Sequence, residues 1–178
     1  VKVERPEKIK IRNPKTMTAN RPLSKNFWLH EMIASQSATR FGFTEQFTPP
    51  DDVVRNLEAL CKHVLQPLRD AIKSPIAVSS GYRCQRVNAL IGGAQRSQHL
   101  TGHAADIQDF KHGNEFLFRK IIELKLPFDQ IINEFNFDWV HVSYDPKRHR
   151  RKITEAYKDP SGMTKYRPFV LPKAWGLK

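Results

Sequence analysis

The sequence predicts an α+β fold, with a small, largely antiparallel sheet flanked by helices and an extended basic arm at each end. Three observations lead there. Helical periodicity dominates the first half of the middle region, strand-like runs gather in the second half, and the positive charge is confined to the two ends. The chain has 178 residues and a formal net charge of +12. Residues 1–25 carry eight Lys/Arg against two Asp/Glu, and residues 144–178 carry ten against three. Residues 26–143 are near neutral, with twelve against thirteen. Seven of the twelve prolines lie in the same end segments. Proline-rich basic ends read as arms, 1–22 and 145–178, around a domain over 23–144. Such arms attract polyanions in a salt-dependent way. The aromatic residues Tyr157, Tyr166, Phe169 and Trp175 imply that part of the second arm packs onto a surface.

The elements follow in chain order. Residues 26–35 (NFWLHEMIAS) read as a short amphipathic helix with Ser24 or Asn26 as its cap. Residues 51–73 form the strongest helical pattern, with Asp51 after Pro49-Pro50 as cap. Val54, Leu57, Cys61, Val64, Leu68 and Ile72 fall at three- and four-residue spacing and make one apolar stripe. Pro67 inside that pattern predicts a kink or a break. IAVSSGYR (76–83) reads as a strand entering a loop, Arg86–Leu90 as one helical turn and Gly92-Gly93 as a turn. HAADIQ (103–108) reads as a strand and Asn114–Lys125 as a second helix. DQIINEF (129–135) and WVHVSY (139–144) read as two strands with Asn136 in the turn between them.

Composition excludes several classes. No apolar run approaches the ~20 residues that cross a bilayer. The opening VKVERPEKIKIRNPK has no apolar stretch of the secretory kind. Two cysteines, Cys61 and Cys84, exclude a disulfide-dense scaffold and a cysteine-rich zinc module. They read as two unpaired buried thiols, with a single bridge between them as the alternative. A nucleic-acid-binding protein would rest on the arms alone, because the core is not basic.

Chemistry concentrates in three of the seven histidines. His99 and His103 lie in SQHLTGHAAD (97–106), and His141 lies in DWVHVS (138–143). A hydrolytic zinc site needs three His/Asp/Glu ligands, an open position for water, and a nearby carboxylate to take the proton. His99, Asp106 and His141 can supply the ligands if 103–108 and 139–144 are neighbouring strands, and Asp138 can supply the base. His103 competes through its i, i+4 spacing from His99, although Gly102 and the following AADIQ argue against a helix there. Spacing alone keeps open the reading of these residues as ordinary loop and strand polars.

The blocks SGYR (80–83), NALIGGA (88–94), SQHLTGHAADI (97–107) and WVHVSY (139–144) resemble the zinc D-Ala-D-Ala carboxypeptidases. That family includes phage endolysins and L-alanyl-D-glutamate endopeptidases, and it shares a superfamily with the vancomycin-resistance D,D-dipeptidases and the Hedgehog signalling domain. LSKNFWLHEMIAS (23–35) resembles the start of one branch of these peptidases. The resemblance implies one Zn2+ ion held by His99, Asp106 and His141. It implies Asp138 as general base and Arg83 as the group that holds a substrate oxygen or the developing oxyanion. Ser97 and Tyr82 become supporting residues, and His103 falls at a variable position beside the cleft. Glu134 is read as a partner that orients a ligand histidine rather than as the base. Arg86 and Arg96 are candidate cations for a substrate carboxylate. The implied substrate is the peptide stem of bacterial peptidoglycan, cut by a carboxypeptidase or an endolysin-type endopeptidase. The alternative is a non-catalytic or virion-associated binding module anchored through its basic arms to a polyanion or to virion proteins. The implied place of action is the cell wall, reached as a phage product or by export.

Overall fold

The computed structural model describes residues 21–176. Most of the expected N-terminal arm, residues 1–20, lies outside the described residues. Short helices α1 (Leu29–Ile33) and α2 (Gln36–Phe41) open the fold. Neither Ser24 nor Asn26 caps α1. The Trp28 backbone N–H instead donates to the Glu31 carboxylate at 2.8 Å. Ser24 donates to the Gln66 side chain, and Asn26 exchanges hydrogen bonds with it. Helix α2 ends on Gly42 at φ +66°, and the Ser35 hydroxyl accepts from Ala38 N–H at its start.

Helix α3 (Asp51–Leu60) continues through a π-helical turn (Cys61–Leu65) into α4 (Gln66–Ile72). Asp51 is the first helical residue and Pro50 the cap, so Asp51 and Asp52 act through charge at the positive helix end rather than by capping. Pro67 does not break the helix. The wider π turn immediately before it, with Gln66 N–H bonded to Cys61 C=O, makes room for the ring and its missing N–H. All six residues of the anticipated apolar stripe are buried, and both cysteines are buried and free.

The sheet is larger than expected and mixed. Its strands are β1 (Ala77–Ser80), β2 (Ala104–Gln108), β3 (Gln130–Glu134), β4 (Trp139–Ser143), β5 (Lys152–Lys158) and β6 (Thr164–Pro168). The spatial order is β1-β2-β4-β3-β5-β6, and β5 runs parallel to β3. The reason is geometric. Strand β4 ends beside the start of β3, so the connection 144–151 passes the start of β3 and lands on its free edge, running the same way. Much of the segment anticipated as an extended C-terminal arm is therefore folded: β5 and β6 form a hairpin bonded into the sheet. Its aromatic residues pack on the same domain, with Phe169 and Trp175 against Phe118. Strand β6 carries Lys165, Arg167 and Pro168 on the outer edge, which discourages further strand pairing.

One face of the sheet is the core. Ala105, Ile107, Ile131, Val140 and Val142 are fully buried and share a hydrophobic cluster with α3, α4 and α6 (Asn114–Glu123). Side chains alternate along a strand, so the neighbours Asp106, Ile132 and His141 face the opposite way. Helix α5 (Gln85–Leu90) and a 3-10 turn (Gln98–Thr101) border that second face.

Candidate metal centre

The second face carries a cleft of about 660 Å3. Asp106 on β2 and His141 on β4 are direct cross-strand partners. His99 joins them from the 3-10 turn, held there by Arg83 N–H donating to its carbonyl and by Gly102 at φ +71° closing the turn. The Ser97 hydroxyl accepts from His99 N–H at 3.4 Å. His99 Nε2, His141 Nδ1 and Asp106 Oδ1 lie 3.0–3.2 Å from one another. All three side chains are buried.

The donor set fits a zinc ion. His99 Nδ1 lies 2.6 Å from the Gly81 carbonyl, which fixes the proton on Nδ1 and turns the Nε2 lone pair inward. Ionised Asp106 is acceptor-only. Converging acceptors at this spacing need a cation between them, and tetrahedral ligands ~2.0–2.1 Å from zinc sit just over ~3 Å apart. Gly81 is required by close approach: a Cβ there would meet the Met32 carbonyl oxygen at 2.3 Å. A register shift between Val78 and Ser80 brings Ser80 opposite Asp106. Ser80 accepts from Arg83 Nε at 2.8 Å, and Arg83 Nη2 donates to Asp106 Oδ2. Burial raises the Asp106 pKa, but when no metal is bound, imidazoles of His99 and His141 that carry protons on the facing nitrogens outweigh it through their charge and hydrogen bonds and hold the carboxyl far below the usual range.

The remaining anticipated residues separate clearly. Arg83, Ser97 and Glu134 line the cleft. Glu134 is buried, and burial raises its carboxyl to about 7, with Asp106 adding to the rise while His141 and Arg83 oppose it. Asp138, anticipated as base, is exposed in the turn between β3 and β4 and is not among the cleft-lining residues. Its backbone carbonyl is clamped by Gln108 and Asn114. His103 faces the other side of its loop, where Nδ1 meets the Thr101 hydroxyl at 2.8 Å. Tyr82 is a core residue whose backbone carbonyl accepts from Gln46. Arg86 is turned away, over the Phe43 ring and against Glu45, while Arg96 lines the cleft.

Sequence reasoning missed what the C-terminal hairpin and the connection before it add to this cleft: Arg148, Arg150, Lys152, Thr164 and Tyr166. Tyr166 lies across the small residue Ala156, which itself pairs with Glu134. Burial raises the Tyr166 hydroxyl pKa, and the negative charges of Glu134 and Asp106 add to the rise. The available signal was DPSG (159–162), a turn sequence between two alternating runs.

Comparison with known proteins bears on this site. A 44-residue segment is 46% identical to the zinc D-Ala-D-Ala carboxypeptidase of Streptomyces albus G, covering 24% of this chain and 17% of that protein. The model of the family described as peptidase M15 matches residues 25–143, a span that contains His99, Asp106 and His141 but stops before β5. With more than half of its length matched, the chain belongs to the peptidase M15 family.

Proposed function

We propose that the protein is a zinc-dependent peptidase that hydrolyses the peptide stems of bacterial peptidoglycan. The observation that carries this reading is the buried His99–Asp106–His141 cluster lining a cleft of about 660 Å3. The name of the Streptomyces relative supplies the substrate class. Zinc at this cluster provides a Lewis acid that polarises a carbonyl and lowers the pKa of coordinated water toward ~7.

The chain's own residues supply the rest. Glu134 accepts the proton of the attacking water and returns it to the leaving amine. Its raised pKa of about 7 suits both directions of transfer near neutral pH. Arg83 holds Asp106 in its ligating orientation and adds positive charge to the wall where oxyanion charge develops. Trp139 and Phe135, stacked edge to face at 5.5 Å, form the apolar floor beside Glu134.

Assigning the proton transfer to Glu134 rather than Asp138 makes the reading testable by two amide substitutions. Hydrolysis of a D-Ala-D-Ala-terminated stem peptide is measured for zinc-loaded Glu134→Gln and Asp138→Asn. Loss of a positioned general base costs about 10^2–10^4-fold, so that loss is expected in Glu134→Gln, with zinc retained. Asp138→Asn is expected to stay within about threefold of the parent, since Asp138 is exposed in the turn before β4 and Glu134 is the carboxylate on the cleft wall. The reverse pattern would transfer the role to Asp138.

A further inference from the structure

The cleft is electrically polarised along the sheet. At one end stand Glu134, Phe135, Trp139 and Tyr166. At the other, beside Asp129 and Gln130 at the start of β3, stand Arg148, Arg150 and Lys152, and Arg96 also lines the cleft. Three of those four cations come from the segment after residue 144, outside the stretch that matches the family. We propose that Lys152, with Arg148 and Arg150 beside it, forms an anion subsite for a substrate carboxylate two to three residues from the bond that is cut. This inference rests on the peptidase reading above.

Register puts Lys152 on the catalytic face. Asp106, His141, Ile132 and Thr154 are successive cross-strand partners, and Lys152 lies two residues before Thr154 on the same face of β5. Two strand spacings of ~4.8 Å across and two residues of ~3.3 Å along put its Cα about 12 Å from that of His141. The long lysine side chain can fold back over part of that distance, which leaves room for two or three residues of extended peptide.

Charge balance supports an anionic guest. Asp129 is fully buried and serves two guanidiniums, Arg150 through bonds of 2.9 and 2.6 Å and Arg148 at 3.4 Å. Asp145 lies 3.8 Å from Arg148. Among the described residues Lys152 and Arg96 have no carboxylate partner. Lys152 is exposed on its strand, so its ammonium meets an incoming anion without first breaking an internal pair. Arg83 cannot take this role, because Asp106 and Ser80 already hold it. A carboxylate at the other end would face Glu134.

The test uses two otherwise identical stem peptides, one with a free glutamyl carboxylate and one with the carboxamide. The parent protein is expected to favour the carboxylate peptide about tenfold in kcat/KM, mostly through KM, with the preference shrinking as salt rises. Lys152→Met should bring the ratio within twofold, and Lys152→Glu should favour the carboxamide. A parent ratio near one, or a preference that survives both substitutions, overturns the subsite while leaving the peptidase reading intact. If neither peptide is hydrolysed, calorimetric binding of the same pair to the zinc-loaded proteins gives the same ratio. The peptidase reading then falls, and the binding ratio alone decides the subsite.

Discussion

Replacing Glu134 with glutamine should make the metal-free protein more stable at alkaline pH while removing its activity. Glu134 sits on β3 in a buried position facing the cleft, and its carboxyl is raised from an ordinary value near 4.5 to about 7. The folded protein therefore holds a proton that the unfolded chain releases between about pH 4.5 and 7. Stability from this group is fully present below pH 4.5 and is lost as pH rises through 7. A tenfold change in an ionisation constant corresponds to ~1.4 kcal/mol, so ionising Glu134 in the fold costs at most about 3 kcal/mol at pH 8. Glutamine is nearly isosteric and does not ionise. The assay is urea unfolding of the zinc-free parent and Glu134→Gln at several pH values from about 5 to 8.5. The two ΔG curves should diverge with rising pH, the variant being the more stable by about 2–3 kcal/mol at the top of the range. Parallel curves would show that the carboxylate is not desolvated and would remove the physical basis for its role as base.

Three further outcomes follow from the same geometry. Gly81→Ala should weaken zinc binding at least tenfold and lower stability, because its Cβ would collide with the Met32 carbonyl at 2.3 Å and move the carbonyl that orients His99; isothermal titration with zinc reads the first effect and thermal melting the second. Asp129→Ala should cost about 1.5–3 kcal/mol, since it removes the shared acceptor of two half-exposed guanidiniums and the Gln98 amide and frees the connection between β4 and β5; denaturant unfolding measures it. Zinc affinity should fall as pH drops, because metal ligands bind in their deprotonated forms and protons compete with the metal for them; metal-indicator titrations between about pH 5.5 and 8 should show proton release with binding.

Much of the domain was legible from local pattern. The stripe from Val54 to Ile72 is buried throughout, and the runs at 103–108 and 139–144 are neighbouring strands, which brings Asp106 opposite His141. These features depend on periodicity within one element and on a single short-range pairing. The missing parts depend on tertiary context. Strand β5 (KITEAYK) alternates, but its charged residues gave it the look of a solvated arm, and only its pairing with β3 reveals its place. Helix α2 is too short for a periodic signal, although Ser35 and Gly42 mark its ends. Asp138, three residues before His141, is exposed in the turn before β4, while strand alternation aims Trp139 and His141 into the cleft. Glu134 reaches the cleft because β3 lies next to β4 in register, a pairing that the spacing of residues along the chain does not express.

The central claim is that the cleft hydrolyses stem peptides by zinc chemistry. It is tested most directly by mass spectrometry of purified peptidoglycan fragments after incubation with the zinc-loaded protein, with His141→Ala and Glu134→Gln as controls. Discrete mass losses that fix the bond cut, either one alanine from pentapeptide stems or an internal cleavage, are expected with the parent protein and absent in both controls. Intact fragments in the presence of stoichiometric bound zinc would contradict it.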